Sequence, residues 1–391
     1  MRVWIENPFD TLPTEGGRPQ RYWLMAAAFA AAGHAVDYWT SDFSHIHKAP
    51  REIRTGPSDA VAPLFVPTRP YAKNVSLARI ASHRAYAREW GRLAEERAAS
   101  HGKPDVIIVS MPPLATGDVA VGLARKFGAK LVVDVMDAWP DTFYRLLPSG
   151  FKWLGRFLFA SARRAARRQL AAADLVTGVA ARYEDLARAA GAKAFRLAYH
   201  GVEMTPPVRR EPSDRLRLVY VGSMGRTYGL EAGVAAVARL GNATLDLAGG
   251  GEKLESLKAL ASGLGCADRV RFHGYLGDAE LQALLAACDI GVVPMSGDSC
   301  VGVPYKLGDY TRAGLAVASS LDGESLALLA DSGAGLRYDP DGSGGFGLAD
   351  VVLRLAKRLP EAQAASRRLA ERTFDAAKIY AQYVRRVEEL V

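Results

Sequence analysis

The chain has 391 residues, 49% of them hydrophobic, with a formal net charge of +8 and a pI near 9.3. That is enough for two or three domains with substantial cores, and no apolar run reaches the roughly 18 residues of a membrane span. The three cysteines, Cys266, Cys288 and Cys300, have neither metal-ligand nor disulfide spacing, which excludes a disulfide-built scaffold and fits a reduced, cytoplasmic setting.

The N-terminus runs directly into a strand-like "VWIENP", so no secretory leader is expected. Strand candidates "AVDYWTS", "APLFVPT", "DVIIVS", "KLVVDV", "DLVTGVA" and "AFRLAY" follow. Helical patterns separate most of them, at Gln20–Ala32, Ala78–Ala99, Ala115–Phe127 and Phe151–Ala173. The second half repeats the plan with "RLVYVG", "TLDLAG", "VRFHGY", "IGVVPM", "LAVASS" and "AGLRYD". Short β-rich runs alternating with helices imply parallel sheets covered on both faces. The fold class is therefore α/β, with two doubly wound domains and a cleft between them. The Pro- and charge-rich "HGVEMTPPVRREPSD" marks the join. We place an N-terminal domain at 1–202, a C-terminal domain at 203–374, and a last helix at 375–391 that returns to the first domain.

In open α/β sheets, ligands bind beyond the carboxyl ends of the strands. The loops there hold the candidate residues. Gly16 and Gly17 follow the first strand and precede a helix whose N-terminus offers amides to an anion; a plain turn is the bland alternative. In "VGSMGRTYGLE", Gly222, Ser223 and Gly225 hold the matching place in the second domain. Arg226 among them could clamp a phosphate. The spacing is not that of a dinucleotide fingerprint. "DVMDAWPD" follows a strand of the first domain. Its Asp134, Asp137 and Asp141 match no established cation loop, and no metal is expected. Asp134 falls within the strand, whereas Asp137 is placed to meet a hydroxylated substrate or to cap the turn.

"GVPYKLGDYTRAGLAVASS" is the most informative stretch. Pro304 suits the first helical position, leaving the amides near Gly302 and Val303 free at a helix N-terminus. Lys306 and Asp309 are three apart and share a face. A cation beside free amides suits a diphosphate, and a carboxylate one turn deeper suits the two hydroxyls of a ribose. An ordinary exposed Lys–Asp pair is the competing reading. Gly314 fits the left-handed helix stop before a buried strand.

Charge is uneven: residues 1–200 carry 28 Lys+Arg against 18 Asp+Glu, the remainder 22 against 24. A basic first half suits a nucleic acid, an anionic membrane surface or a phosphate-bearing partner. No nucleic-acid module is recognisable, so nucleic acid is not expected. "FKWLGRFLFASARRAARRQL" (Phe151–Leu170) reads as a helix with Lys152, Arg156, Arg163 and Arg167 on one side. Trp153 and Phe157 lie alongside, and Leu154, Leu158, Ala162 and Ala165 form the core stripe. Such a face suits the inner surface of a membrane, or is simply solvated.

Together these residues resemble glycosyltransferase family 4, retaining enzymes of the GT-B fold. The strongest parts are "EGGRPQRYWLMAAAFAAAGHAVDYWTSDFSH", "YHGVE", "VYVGSMGRTYGLE", "VRFHGYLGDAELQALLAACDIGVVPM" and "GVPYKLGDYTRAGLAVASS". The Gly-Gly-Arg loop and the turn Asp137-Ala138-Trp139-Pro140 are similar to the branch that makes bacterial surface polysaccharides. The resemblance implies a nucleotide-diphosphate sugar held mainly by the second domain, with Gly16 and Gly17 closing from the first. Arg271 to Tyr275, including Gly274, would flank the base, and Asp309 would take the place of the ribose-binding glutamate. Asp137, Arg226 and Lys306 are the candidate catalytic residues. The acceptor would be a glycan or lipid-linked precursor, with no cofactor beyond the donor. Three residues depart from the family pattern. Val301 stands where its first motif glutamate belongs. Ser223 and Tyr228 replace the usual arginine and lysine, for which Arg226 and Lys306 would substitute. A sugar-nucleotide hydrolase or epimerase would need an activated water or proton-shuttling pair, which the sequence does not present. A silent nucleotide-sugar-binding scaffold is the reading Val301 favours.

Overall fold

The computed structural model describes residues 1–15, 18–52, 61–140, 149–206, 213–295, 301–340 and 347–391. Gly16, Gly17, Asp141 and Cys300 lie outside the described residues. The chain divides into two compact units, one of Met1–Gly201 with Ala377–Val391, the other of Val202–Ala376.

The first unit runs β1 (Arg2–Glu6), α1 (Arg21–Ala31), β2 (Ala35–Ser41), then a short hairpin of β3 (Phe43–Ser44) and β4 (Ala49–Pro50). Next come β5 (Pro63–Val66), α2 (Leu77–His101), β6 (Val106–Met111), α3 (Leu114–Phe127) and β7 (Lys130–Val135). Then follow α4 (Gly155–Leu158), α5 (Ala160–Ala172), β8 (Leu175–Gly178), α6 (Tyr183–Ala190) and β9 (Phe195–Leu197). Seven strands form one parallel sheet in the order β5-β2-β1-β6-β7-β8-β9. Buried on both faces, these strands are near-continuous apolar runs, which is why they lack alternation. α2 starts at Ser76, whose hydroxyl accepts the Arg79 amide, and lays Tyr86, Trp90 and Ala94 on the core at helical spacing. Trp4 meets Trp39 and Phe127 edge-on at 5.8 Å. Each buried aromatic of this kind contributes about 2–3 kcal/mol.

The second unit runs β10 (Leu216–Val221), α7 (Glu231–Leu240), β11 (Ala243–Ala248), α8 (Leu254–Gly263), β12 (Val270–Gly274) and α9 (Asp278–Ala286). β13 (Ile290–Val293), α10 (Tyr305–Arg312), β14 (Ala316–Ser319), α11 (Glu324–Ser332), β15 (Gly335–Arg337), α12 (Leu348–Ala356) and α13 (Leu359–Leu369) complete it. Its six strands are parallel in the order β12-β11-β10-β13-β14-β15. In each sheet the strand order reverses once, beside β1 and β6 in the first unit and beside β10 and β13 in the second. These reversals are where open α/β sheets take ligands. The last helix, α14 (Ala376–Glu388), packs on the first unit. Its Tyr383 meets Phe29 edge-on at 6.4 Å and hydrogen-bonds Thr177, and its Tyr380 hydroxyl accepts the Gly201 amide.

Two local expectations are corrected. The helix expected from Phe151 to Ala173 is broken: a 3-10 turn over Ser149–Leu154 leads into the one-turn α4, and α5 begins only after Phe159. The break displaces the stripe. Ala165 is buried, but Leu158 is 62% exposed and does not pack on the sheet. Pro304 is not the first helical residue of α10 but its extended N-cap. Gly314 does end α10 in the left-handed conformation, at φ 68°.

Candidate functional site

In the second unit, three loops at the carboxyl ends of β10, β11 and β12 are stitched together by main-chain bonds. Gly222 donates to Ala248 O, Met224 to Gly250 O, and Gly249 to Gly274 O. A Cβ on Gly249 would stand 2.1 Å from Gly222 O, so only glycine permits this approach. Gly222, Ser223 and Gly225 therefore line one rim, with Gly274 and the exposed Tyr275 beside Gly250.

Lys306 enters this rim from the first turn of α10, across the strand reversal. It is buried, yet its ammonium makes no hydrogen bond among the described residues. Nζ lies 4.2 Å from the ring centre of Tyr220 and 4.5 Å from that of Tyr228. A Cβ on Gly222 would sit 3.3 Å from it. Burial lowers its pKa to about 7. Tyr310 fixes α10 from behind, its hydroxyl accepting the Val221 amide, with Gly291 leaving room for its ring. The motif thus places a desolvated cation, beside the rings of Tyr220 and Tyr228, against a glycine loop.

The other candidates fall around it unequally. Arg226 does not join Lys306: its side chain is 86% exposed and pairs with Glu252 at 3.3 Å. Asp309 is buried one turn deeper on α10, 3.9 Å from the Arg312 guanidinium. Val303 is buried and Gly302 half-buried, and the Gly302 carbonyl accepts the Ser325 hydroxyl. Arg271 on β12 is half-exposed, 3.9 Å from the fully buried Asp246, which His273 contacts at 2.8 Å. Val301 is 39% exposed and offers no hydrogen-bonding side chain.

Two residues escaped the sequence reading. Asp246 holds Arg271 and His273 from inside β11, and Arg217 stands 3.6 Å away. Arg312 is buried, donates to Glu203 O at 3.0 Å, and is the positive partner of Asp309. A lone acid in an apolar strand was the available signal for the first. An arginine three residues after Asp309 was the signal for the second.

In the first unit, Asp137 follows β7 half-buried, and its carboxylate accepts the Ala138 amide at 2.8 Å. Asp134 is structural. It lies fully buried in β7, bound by Arg21 Nε at 2.7 Å and Nη2 at 2.8 Å, and accepts the Tyr22 and Thr177 hydroxyls. The amides at the start of α1 are not all open to an anion, since Asp10 already accepts the Tyr22 amide at 2.8 Å. Among the described residues no group of three or more His, Cys, Asp or Glu could hold a metal ion.

Comparison with known proteins follows this division into units. Residues 16–203 match the family described as "Glycosyl transferase 4-like domain", and residues 215–357 match "Glycosyl transferases group 1". No curated protein matches the sequence. Among solved structures, the chain is similar to sucrose-phosphate synthase from Thermosynechococcus elongatus, 18% identical with a TM-score of 0.76 over 100% of this chain and 98% of that one. It is similar to HepE from Anabaena in complex with UDP-glucose, 16% identical with a TM-score of 0.65 over 100% of both chains. WaaG, a glycosyltransferase involved in lipopolysaccharide biosynthesis, is 15% identical with a TM-score of 0.65 over 99% of both. With both units matched in order, and with two parallel doubly wound sheets, the chain belongs to the family 4 type of glycosyltransferases and has their GT-B fold.

Proposed function

We propose that the chain transfers a sugar, with retention of anomeric configuration, from a UDP-sugar to a hydroxyl of a cell-envelope glycan precursor. The observation that carries the donor side is the buried Lys306 ammonium, held against the Gly222 loop with no anionic partner of its own among the described residues. A diphosphate supplies that partner. The complex of the HepE neighbour with UDP-glucose supports uridine as the base.

In this reading Gly222, Ser223 and Gly225 present amides to the diphosphate, with Gly302 and Val303 at the start of α10, and Arg226 swings from Glu252 to add a second cation. Asp309, oriented by Arg312, accepts the ribose hydroxyls. Arg271, Gly274 and Tyr275 flank the base, and Gly16 and Gly17 cover the donor. The acceptor hydroxyl attacks the anomeric carbon on the face that the diphosphate leaves. The carbon–phosphate oxygen bond breaks as the new carbon–oxygen bond forms, and a leaving phosphate oxygen takes the acceptor proton. Charge grows on that phosphate, so preorganised amides and Lys306 stabilise the transition state without a metal. Asp137 orients the acceptor hydroxyl. The test is a panel of nucleotide sugars with glycan acceptors, reading nucleotide release and, by NMR, the product's anomeric configuration. Release with an α donor giving an α product is expected. An inverted product refutes retention, and binding without release would leave a nucleotide-sugar scaffold.

The lipid-linked form of the acceptor has its own support. No helix among the described residues is long and apolar enough to cross a membrane. Yet Phe151, Trp153, Phe157 and Leu158 are all more than half exposed around α4. Beside them a groove of about 660 Å3 is lined by Ile80, Leu114, Trp139, Leu158, Phe159 and Ala162, with Arg84, Arg164 and Arg168 among its charged walls. Exposed aromatics edged by arginine suit an anionic cytoplasmic lipid face. Flotation with anionic but not neutral vesicles is expected, and its loss when Arg163, Arg164 and Arg167 become Glu. Equal absence from both vesicle types would leave a soluble acceptor.

A further inference from the structure

A second cationic centre lies in the first unit, above the carboxyl ends of β5, β2 and β1, and the donor reading does not use it. Arg79, in the first turn of α2, lies over three aromatic rings. Its guanidinium is 5.2 Å from the centre of Trp139, 5.5 Å from Phe9 and 5.9 Å from Tyr71. Lys48, in the turn of the β3–β4 hairpin, lies 4.9 Å from the same Tyr71 ring. His45 and His83 complete the wall, each packed on Phe9 at 5.2 and 5.4 Å.

Four observations argue for a negatively charged ligand at this centre. First, neither cation is within ion-pair distance of a carboxylate among the described residues; Arg79 bonds His83 and Asn74 O, and Lys48 bonds His45. Arg21, Arg51 and Arg97 of the same unit each have one. Second, Arg79 stands at the positive end of a 25-residue helix, where a cation is disfavoured. Third, Lys48 is the one non-glycine residue with positive φ among the described residues, at 56°, a backbone placement uncommon for a side chain, and here it carries the ammonium to His45 and the Tyr71 ring. Fourth, the groups repel one another. Burial, Lys48, Arg79 and His83 together push His45 down to about 3, and burial with Arg79 lowers Lys48 to about 8. Burial lowers the pKa of Arg79 itself, opposed first by Tyr71 and then by Asp137, the residue proposed to meet the acceptor.

We propose that Lys48 and Arg79 form the seat of a phosphate ester carried by the acceptor, with Phe9, Tyr71 and Trp139 as the apolar walls for the group that bears it. Two cations match the charge of nearly two that a phosphate monoester carries. Aromatic faces beside a phosphate suit a sugar ring, and the seat shares Trp139 and His83 with the apolar groove, so the ester could belong to a soluble sugar phosphate or to a lipid phosphate. This rests on the glycosyltransferase reading, in which the first unit receives the acceptor.

The experiment saturates the protein with UDP, so that the Lys306 site is filled. It then titrates α-D-glucose 1-phosphate, methyl α-D-glucoside and phosphatidic acid vesicles against wild type, Lys48→Gly and Arg79→Gln. Glycine suits the backbone at position 48, so Lys48→Gly tests the seat even if Arg79→Gln unfolds. The sugar phosphate is expected to bind at least tenfold tighter than the neutral glucoside, and Lys48→Gly to weaken it about tenfold with UDP affinity unchanged. If vesicles bind in the same Lys48-dependent way and the sugar phosphate does not, the ester belongs to a lipid. Binding of both phosphates unaffected by Lys48→Gly, or no binding of either by protein that holds UDP, overturns the proposal. Failure to bind UDP counts against the donor reading alone, and the Lys48 comparison, run without UDP, still decides the seat.

Discussion

Asp134→Ala is expected to cost the first unit on the order of 3–5 kcal/mol of stability. The reason is the geometry rather than the ion pair alone. Asp134 and Arg21 are both fully buried, joined by two charge-assisted bonds of 2.7 and 2.8 Å, and Tyr22 and Thr177 donate to the same carboxylate. Removing the acid leaves a guanidinium sealed from water with, among the described residues, only the Ala198 and Tyr199 carbonyls as hydrogen-bond partners. An uncompensated buried charge carries a penalty of that size. The carboxyl's pKa behaves accordingly: burial opposes its ionisation, but Arg21 together with the Thr177 and Tyr22 hydroxyls outweighs burial and holds the pKa below the usual carboxylate value. A depressed folded pKa means that this contribution is present above the unfolded value near 4 and is lost as pH falls through the folded one. Urea unfolding followed by a probe in the first unit checks this. A midpoint within error of wild type would show that the network is not holding the unit together.

Lys306→Ala is expected to weaken UDP-glucose binding by 10- to 100-fold, the worth of one desolvated charge-assisted contact of about 1.5–3 kcal/mol. Uridine should lose far less. Arg226→Ala should cost less than Lys306→Ala, because Arg226 is exposed and already paired with Glu252. Lys306 also sets a pH dependence. Burial lowers its pKa in the free protein to about 7, and a bound diphosphate favours the charged form. Binding above pH 7 therefore takes up a proton, and affinity should fall as pH rises above 7, where the charge of the diphosphate does not change. The ligand-free fold has the opposite slope. Its lysine pKa lies below the unfolded value near 10.5, so the unfolded chain binds more protons between the two, and stability rises with pH in that window. Calorimetry in buffers of different ionisation enthalpy measures the proton uptake directly. A flat pH profile in wild type, or Lys306→Ala losing uridine and UDP-glucose equally, would remove Lys306 from the diphosphate site.

Much of this was legible before any coordinates. The apolar runs of β1, β6 and β7 and of β10, β11 and β13, alternating with helical patterns, were sufficient for two doubly wound sheets, because a strand buried on both faces has almost no polar option. The stretch from Gly302 to Gly314 announced a helix N-terminus, a lysine and a left-handed stop, all local properties of a few adjacent residues. Local signals failed where neighbours in space decide. Phe151–Leu170 has enough helical periodicity to read as one helix, and only packing reveals that the chain turns at Phe159 and leaves Leu158 outside. Arg226 and Lys306 looked equivalent as cations near glycines. Tertiary structure separates them, burying Lys306 between Tyr220 and Tyr228 and leaving Arg226 in solvent, because position 306 faces the sheet reversal and position 226 faces outward. The centre around Arg79 was invisible in the sequence, since Phe9, Lys48, Tyr71, Arg79 and Trp139 span 131 positions and carry no shared motif. Parallel strand order brings their loops to one edge, and that proximity, not residue type, gathers two partly buried cations over the same aromatic rings.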